Sequence, residues 1–277
     1  MLSLIPEALT RDGFVTLSAV FTPDEAATMA SDLDAAIAAG RSDDPAILAS
    51  AGIVYAARNV LALWPPSAGV WLRPALLEPL ISILGPRMGV VRVLFFDKPP
   101  GGSWALPWHK DLTIAVRDNT LPAARDLHPT RKAGVPHIEA PEATLANMLT
   151  VRIHLDPVDD ANGPLKVVPG SHHDGKALRL EGAPVRTLHA DAGDVLLSRP
   201  LVAHCSNRST PGTARHRRIL HLEVADSPDL FGGLAWHDFV PAPDEDLARF
   251  AELGSTSAPP PRKIPSPAIP AFRDESA

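Results

Sequence analysis

The sequence predicts a mainly β fold with flanking helices, a β-sandwich or barrel braced from its N-terminal side. Three observations predict it. Helical patterns crowd into about the first 87 residues. From about residue 88 the chain turns to short runs of β-branched and aromatic residues. Turns rich in Pro, Gly and Asp separate those runs. The 277 residues are 45% hydrophobic, enough for one sizeable core. We therefore expect a single domain over 1–253, with a helical part over about 1–87 and a β core over about 88–226. The Pro- and Ser-rich stretch 254–277 is expected to be a disordered or draped tail.

In chain order, residues 5–20 read as a short helix and then a strand, FVTLSAV, divided by the turn pair Asp12-Gly13. Thr22-Pro23-Asp24-Glu25 carries a cap, a first-turn proline and two acids, so a helix is expected from there to Gly40. Residues 67–85 also look helical. Strands are expected at MGVVRVLFFDK from residue 88 and at 147–156, 164–172, 183–190, 194–204 and 217–225. In 149–155 the alternation is clean. Leu149, Val151, Ile153 and Leu155 share one face; Thr150, Arg152 and His154 share the other, which either lines a polar cavity or meets solvent. The insert 117–146 reads as too polar for a core, and so as a surface or substrate loop carrying His137.

Charge and composition exclude several classes. Net charge is −6, which does not suit a nucleic-acid binder despite the local basic run 215–218. The single cysteine, Cys205, allows neither an internal disulfide nor a cysteine-based zinc site and fits a reducing cytoplasm. No apolar run is long enough for a membrane span, and MLSLIPEALTRDGF lacks the pattern of a secretory signal.

The chemistry points to a metal. In a strand, residues two apart face the same way, so His-x-Asp can offer a nitrogen and a carboxylate to one ion. A second histidine from elsewhere would complete a two-His, one-carboxylate set with open positions, the pattern of non-haem Fe(II) oxygenases. The motif occurs three times, at His109–Asp111, His172–Asp174 and His189–Asp191, so context must choose. His172 lies in a Pro-Gly-Ser-His turn, where a structural hydrogen bond is expected. His189 is only hairpin distance from His204 and reads as structural. His109 and His204 are far apart in sequence, as facing strands require. The following basic strand, ARHRRILHLEVA, presents Arg215 and Arg217 with His221 on one face. It is either a solvated edge or a carboxylate clamp, which arginine serves better than lysine.

With those residues in place, the chain resembles the phytanoyl-CoA dioxygenase family. Trp108-His109-Lys110-Asp111 is similar to its first iron motif. Asn162-Gly163-Pro164-Leu165 with Val167-Val168-Pro169-Gly170-Ser171-His172 is its most recognisable stretch. Gly193-Asp194, His204-Cys205-Ser206, Arg217-Arg218-Ile219-Leu220-His221 and Arg11-Asp12-Gly13-Phe14-Val15 also fit. The resemblance implies a double-stranded β-helix (jelly-roll, cupin-like) core, with Fe(II) held by His109, Asp111 and His204. It implies 2-oxoglutarate as co-substrate, held by Arg217 with Ser206, and oxidation by O2 of a small organic or acyl substrate with release of succinate and CO2. The stretch from His204 to Arg217 runs longer than the family pattern, so counting from the histidine would select Arg215 instead. Because Asp111 is present, the family's halogenating branch is not expected. Arg152, His154, Trp108 and Lys110 are candidate cavity residues, and Lys98, Lys110 and Arg131 candidate cations at the rim. Two other readings compete: a catalytically inactive binding protein on the same fold, and a cupin-type metal enzyme that does not use 2-oxoglutarate.

Overall fold

The computed structural model describes residues 4–40 and 44–248. The chain divides into two units, Met1–Ala242 and Pro243–Ala277; the first carries every element below. The expected tail at 254–277 lies outside the described residues.

Helix α1 (Leu4–Arg11) leads through Gly13, at φ +83°, into strand β1 (Phe14–Leu17). Helix α2 (Pro23–Ala39) starts where its sequence dictates: the Thr22 hydroxyl accepts from the Glu25 N–H, and Glu25 reaches back to the Thr22 N–H. Then follow β2 (Ile47–Ser50), β3 (Ile53–Ala57), the short α3 (Val60–Leu63) and α4 (Pro74–Leu84). The expected helix over 67–85 is thus shorter. Pro65–Ala68 makes a separate 3-10 turn, and Pro74 opens the helix. The expected strand after Gly13 is β1; the N-terminal third holds two further, unexpected strands, β2 and β3, and all three join the main sheet.

The β core continues through β4 (Gly89–Phe96), β5 (Leu106–His109), β6 (Thr113–Ala115), β7 (Thr130–Lys132) and β8 (Val135–Glu139). Helix α5 (Glu142–Ala146) precedes β9 (Met148–His154), β10 (Leu165–Val167) and β11 (Arg186–Leu188). The last strands are β12 (Val195–Ser198), β13 (His204–Ser206), β14 (Ile219–Ala225) and β15 (Val240–Pro241). The large sheet runs β1-β12-β9-β14-β4-β3-β2, with β15 on β4. A second sheet runs β11-β10-β13-β5, and a third β6-β8-β7. Every pairing is antiparallel. The first two sheets form the jelly-roll core, sharing a cluster of Phe14 and Leu196 from one with Leu165 and Val167 from the other.

Two expectations are corrected here. The run 194–204 is not one strand. It breaks at Arg199–Ala203, so β12 lies in the large sheet and β13 in the second, and His204 opens a strand rather than closing one. The insert 117–146 is not a polar surface loop. It folds into β7, β8 and α5, and its Ala124, Ile138, Ala140 and Leu145 are buried in a cluster with Met148 and Trp236. Arg117, Asp118, Arg125, Asp126, Arg131 and Glu142 are exposed while its apolar residues turn inward, which is why composition alone misread it.

Candidate metal centre

β5 and β13 are antiparallel neighbours, and their register sets His204 directly opposite His109. The rings lie 4.2 Å apart, centroid to centroid, tilted by 58°. Asp111 follows two residues after His109, held by its N–H to the Pro200 carbonyl at 3.0 Å. Its Oδ1 is 3.7 Å from His109 Nε2 and its Oδ2 3.8 Å from His204 Nε2. The three potential ligand atoms all lie within 4.8 Å of one another. That spacing suits an ion at the centre, since N and O ligands sit about 2.0–2.2 Å from a divalent transition metal.

Both rings are already oriented. His109 Nδ1 lies 2.8 Å from the Pro107 carbonyl and His204 Nδ1 2.9 Å from the Val202 carbonyl, each two residues back along its own chain. A carbonyl accepts only, so each Nδ1 carries the hydrogen and each Nε2 turns a lone pair toward Asp111. Burial pulls His204 down to about 4 despite Asp111, which keeps the ring neutral at pH 7. Burial pushes the Asp111 carboxyl up, but His204, His221 and His109 outweigh it and leave it below its ordinary value. Two imidazole nitrogens with one carboxylate oxygen make a donor set that ferrous iron accepts.

The three residues face a cavity of about 330 Å³ enclosed by both core sheets. Five cations line it, Arg58, Arg92, Lys132, Arg152 and Arg217, against two anions, Asp111 and Glu223. Arg217 is 2% exposed; its Nη1 donates to the Gly163 carbonyl at 3.0 Å, and its Nε has no partner. Burial lowers its pKa, yet a guanidinium is too basic to lose its proton, so the buried charge calls for an anion. Ser206 lines the same end and accepts from Lys98 Nζ at 2.9 Å, which leaves its own hydroxyl hydrogen free to donate. Arg152, on β9, also lacks a partner at Nε; burial lowers it to about 10, still protonated at pH 7. Arg215 stays outside, exposed and paired with Asp159 at 2.6 Å.

The family-like block 162–172 makes no contact with this cavity except through Leu165, and its role is support. Gly163, at φ +72°, turns its carbonyl to Arg217, and buried Asn162 donates to the carbonyls of Pro157 and His216. Ser171 Oγ accepts from the Ala203 N–H at 2.8 Å, fixing the residue before His204.

Several candidate residues fall elsewhere. Trp108 and Lys110 flank His109 and, by strand alternation, point away from the cavity. Lys110 is buried with Nζ on the carbonyls of Ser171 and Gly175, at 2.7 and 2.6 Å. His154 is buried next to the Asp194 carbonyl rather than lining the cavity. No rim cation is supplied by Lys98, Lys110 or Arg131: Lys98 is fully buried behind Ser206, and Arg131 is exposed on the Gly134 carbonyl. His172 and His189 bind the Thr10 carbonyl and Asp160. Sequence reading missed Arg58, Arg92, Lys132 and Glu223. Arg92 and Glu223 were within reach of a parity argument, since they are cross-strand partners on β4 and β14. Arg58 and Lys132 carried no such signal.

Comparison with known proteins agrees with this architecture. The family model described as phytanoyl-CoA dioxygenase matches residues 9–217. No curated protein matches the sequence. Among solved structures, AviO1 from Streptomyces viridochromogenes Tue57 is 22% identical at TM-score 0.57, covering 81% of this chain and 95% of its own. The non-heme alpha ketoglutarate dependent epimerase SnoN from nogalamycin biosynthesis is 16% identical at TM-score 0.59, covering 87% and 95%. EctD from S. alaskensis, solved with 2-oxoglutarate and 5-hydroxyectoine, is 20% identical at TM-score 0.58, covering 79% and 74%.

Proposed function

The chain belongs to the phytanoyl-CoA dioxygenase family, and from that premise we propose that it is an Fe(II)- and 2-oxoglutarate-dependent dioxygenase that hydroxylates a small organic or acyl substrate. One observation carries the proposal. Two imidazole nitrogens and a carboxylate converge within 4.8 Å at the wall of a cavity that is also lined by a buried, under-satisfied arginine.

In this reading His109, Asp111 and His204 hold Fe(II). Arg217 binds the distal carboxylate of 2-oxoglutarate, with the free hydrogen of Ser206 as second donor. Arg152 places a second positive charge beside Asp111 on the inner wall. The bound iron and 2-oxoglutarate together supply O2 activation, with succinate and CO2 as the co-products. The protein's share is orientation: the Pro107 and Val202 carbonyls fix both rings, and Gly163 aims Arg217. The free, buried Cys205 is consistent with a reducing, cytoplasmic setting.

The test is an anaerobic titration with Fe(II) and then 2-oxoglutarate, followed by O2. A visible metal-to-2-oxoglutarate absorption band, and then succinate, are expected. Failure to bind Fe(II) would point to an inactive binding protein. Iron binding with no band would point to a metal enzyme that does not use 2-oxoglutarate.

A further inference from the structure

The cavity holds more positive charge than iron and 2-oxoglutarate chemistry needs. Of its five cations, Arg217 and Arg152 are the two buried ones described above. Arg92, on β4, is taken by Glu223 on β14: Nε donates to Oε2 at 2.9 Å and Nη2 to Oε1, with Nη2 also on the Thr113 carbonyl at 3.1 Å. Two cations remain. Arg58, just after β3, makes no side-chain hydrogen bond or ion pair with any described residue. Lys132, at the end of β7, donates only to the neutral Thr113 hydroxyl, at 2.9 Å. Both line the cavity and both are half-buried. They lie near enough to each other and to Arg92 for mutual repulsion; Glu223, already paired with Arg92, acts on both, and Asp111 acts on Lys132.

Natural sites do not gather like charges in a partly dry pocket without a counter-ion. The position of this pair says which molecule supplies it. Thr113, the partner of Lys132, lies two residues beyond Asp111, so the ammonium stands beside the metal ligands and not at a remote surface. The adjoining wall is apolar and aromatic. Trp104 packs against Tyr55 and Phe96, each at 6.2 Å between ring centres, and Leu94 and Leu106 continue that wall. Trp104 itself is fixed by its Nε1 on the Asp97 carbonyl at 2.6 Å.

We propose that Arg58 and Lys132 form an anion subsite for the substrate, distinct from the arginine that holds 2-oxoglutarate, and that the substrate is a compact carboxylic acid whose apolar body lies against Tyr55, Trp104 and Phe96. The inference rests on the oxygenase reading for what happens to that acid, not for its binding. The cavity volume of about 330 Å³ lies at the small end of the ~300–1,000 Å³ range of small-molecule sites, and 2-oxoglutarate must share it. A compact acid fits that space. The clamp comes from two elements outside the metal-binding strands: the end of β3 and the β7–β8 hairpin.

The test pairs 3-phenylpropanoate, cinnamate and hexanoate each with its primary amide, which matches the acid in shape but carries no charge. Dissociation constants are measured by calorimetry on protein loaded with Fe(II) and 2-oxoglutarate under argon, and again on metal-free protein. At least one acid is expected to bind roughly tenfold or more tighter than its amide in both forms, the loss of one charge-assisted hydrogen bond. Arg58→Gln and Lys132→Gln are each expected to bring that acid to within a few-fold of its amide, while the 2-oxoglutarate band keeps its titration midpoint. The inference is overturned if no acid outbinds its amide, or if the preference survives both substitutions. Absence of the 2-oxoglutarate band would instead remove the oxygenase reading, and the metal-free arm would still report on the anion subsite.

Discussion

His109 and His204 each keep one ring nitrogen bound to a carbonyl two residues back, so the other is aimed before any ion arrives. His109→Ala or Asp111→Ala is therefore expected to abolish iron-dependent succinate formation while the far-ultraviolet circular dichroism spectrum is retained, because neither side chain packs in the core. Arg217 is a different kind of residue: fully enclosed, with only its Nη1 hydrogen-bonded and its Nε buried without a partner. Removing a carboxylate's charge-assisted clamp costs about 1.5–3 kcal/mol, roughly ten- to a hundredfold in the 2-oxoglutarate KM. Arg217→Ala should show that loss in steady-state kinetics. Arg215→Ala should not, since Arg215 reaches only Asp159 at the surface; the reverse result would reassign the anchor.

At the scale of elements, the turn Arg199–Ala203 carries the chain from the large sheet to the second and delivers His204 opposite His109. Ser171 ties that turn down, accepting from the Ala203 N–H and donating to the Val168 carbonyl at 2.7 Å. Ser171→Ala leaves a buried N–H unpaired, at a cost of about 1–3 kcal/mol. Urea denaturation should show that cost, and Fe(II) affinity should fall as His204 loses its fixed position. The sequence made much of this level legible, and the residues show why. His109 and Asp111 share strand parity, and the Thr22 capping box wrote the start of α2 outright. Pro200 and the apolar run after it, by contrast, looked like a continuous strand, because a change of sheet leaves no mark in hydrophobicity. Trp108 and Lys110 drew attention by standing beside a ligand, yet neighbours in a strand face opposite ways. Arg58 and Lys132 were out of reach. Their meaning depends on which wall they face, and that is fixed by tertiary pairing of β7 with β8 and of β3 with β4.

For the whole molecule, buried bases shape the response to pH, and three of them lie outside the candidate metal centre. His137 is lowered to about 4 and His154 to about 3, both chiefly by burial, and Lys98 to about 6 by burial and then Arg217 and Arg152. In each case the unfolded chain binds a proton that the native state refuses. Stability therefore rises with pH across each window: from about 3–4 to 6.5 for the histidines, and from about 6 to 10.5 for the lysine. Urea midpoints should climb steadily from pH 5 to pH 9. Lys98→Met should flatten the upper part of that climb; an unchanged slope would show that Lys98 is charged in the native protein. The β7–β8 hairpin has a consequence at this scale too. It contributes Lys132 to the cavity wall but none of the three side chains of the candidate metal centre. On the proposed assignment, selectivity and reactivity are written on separate stretches of polypeptide, so mutation of the hairpin would admit new molecules while leaving the oxidising machinery unaltered.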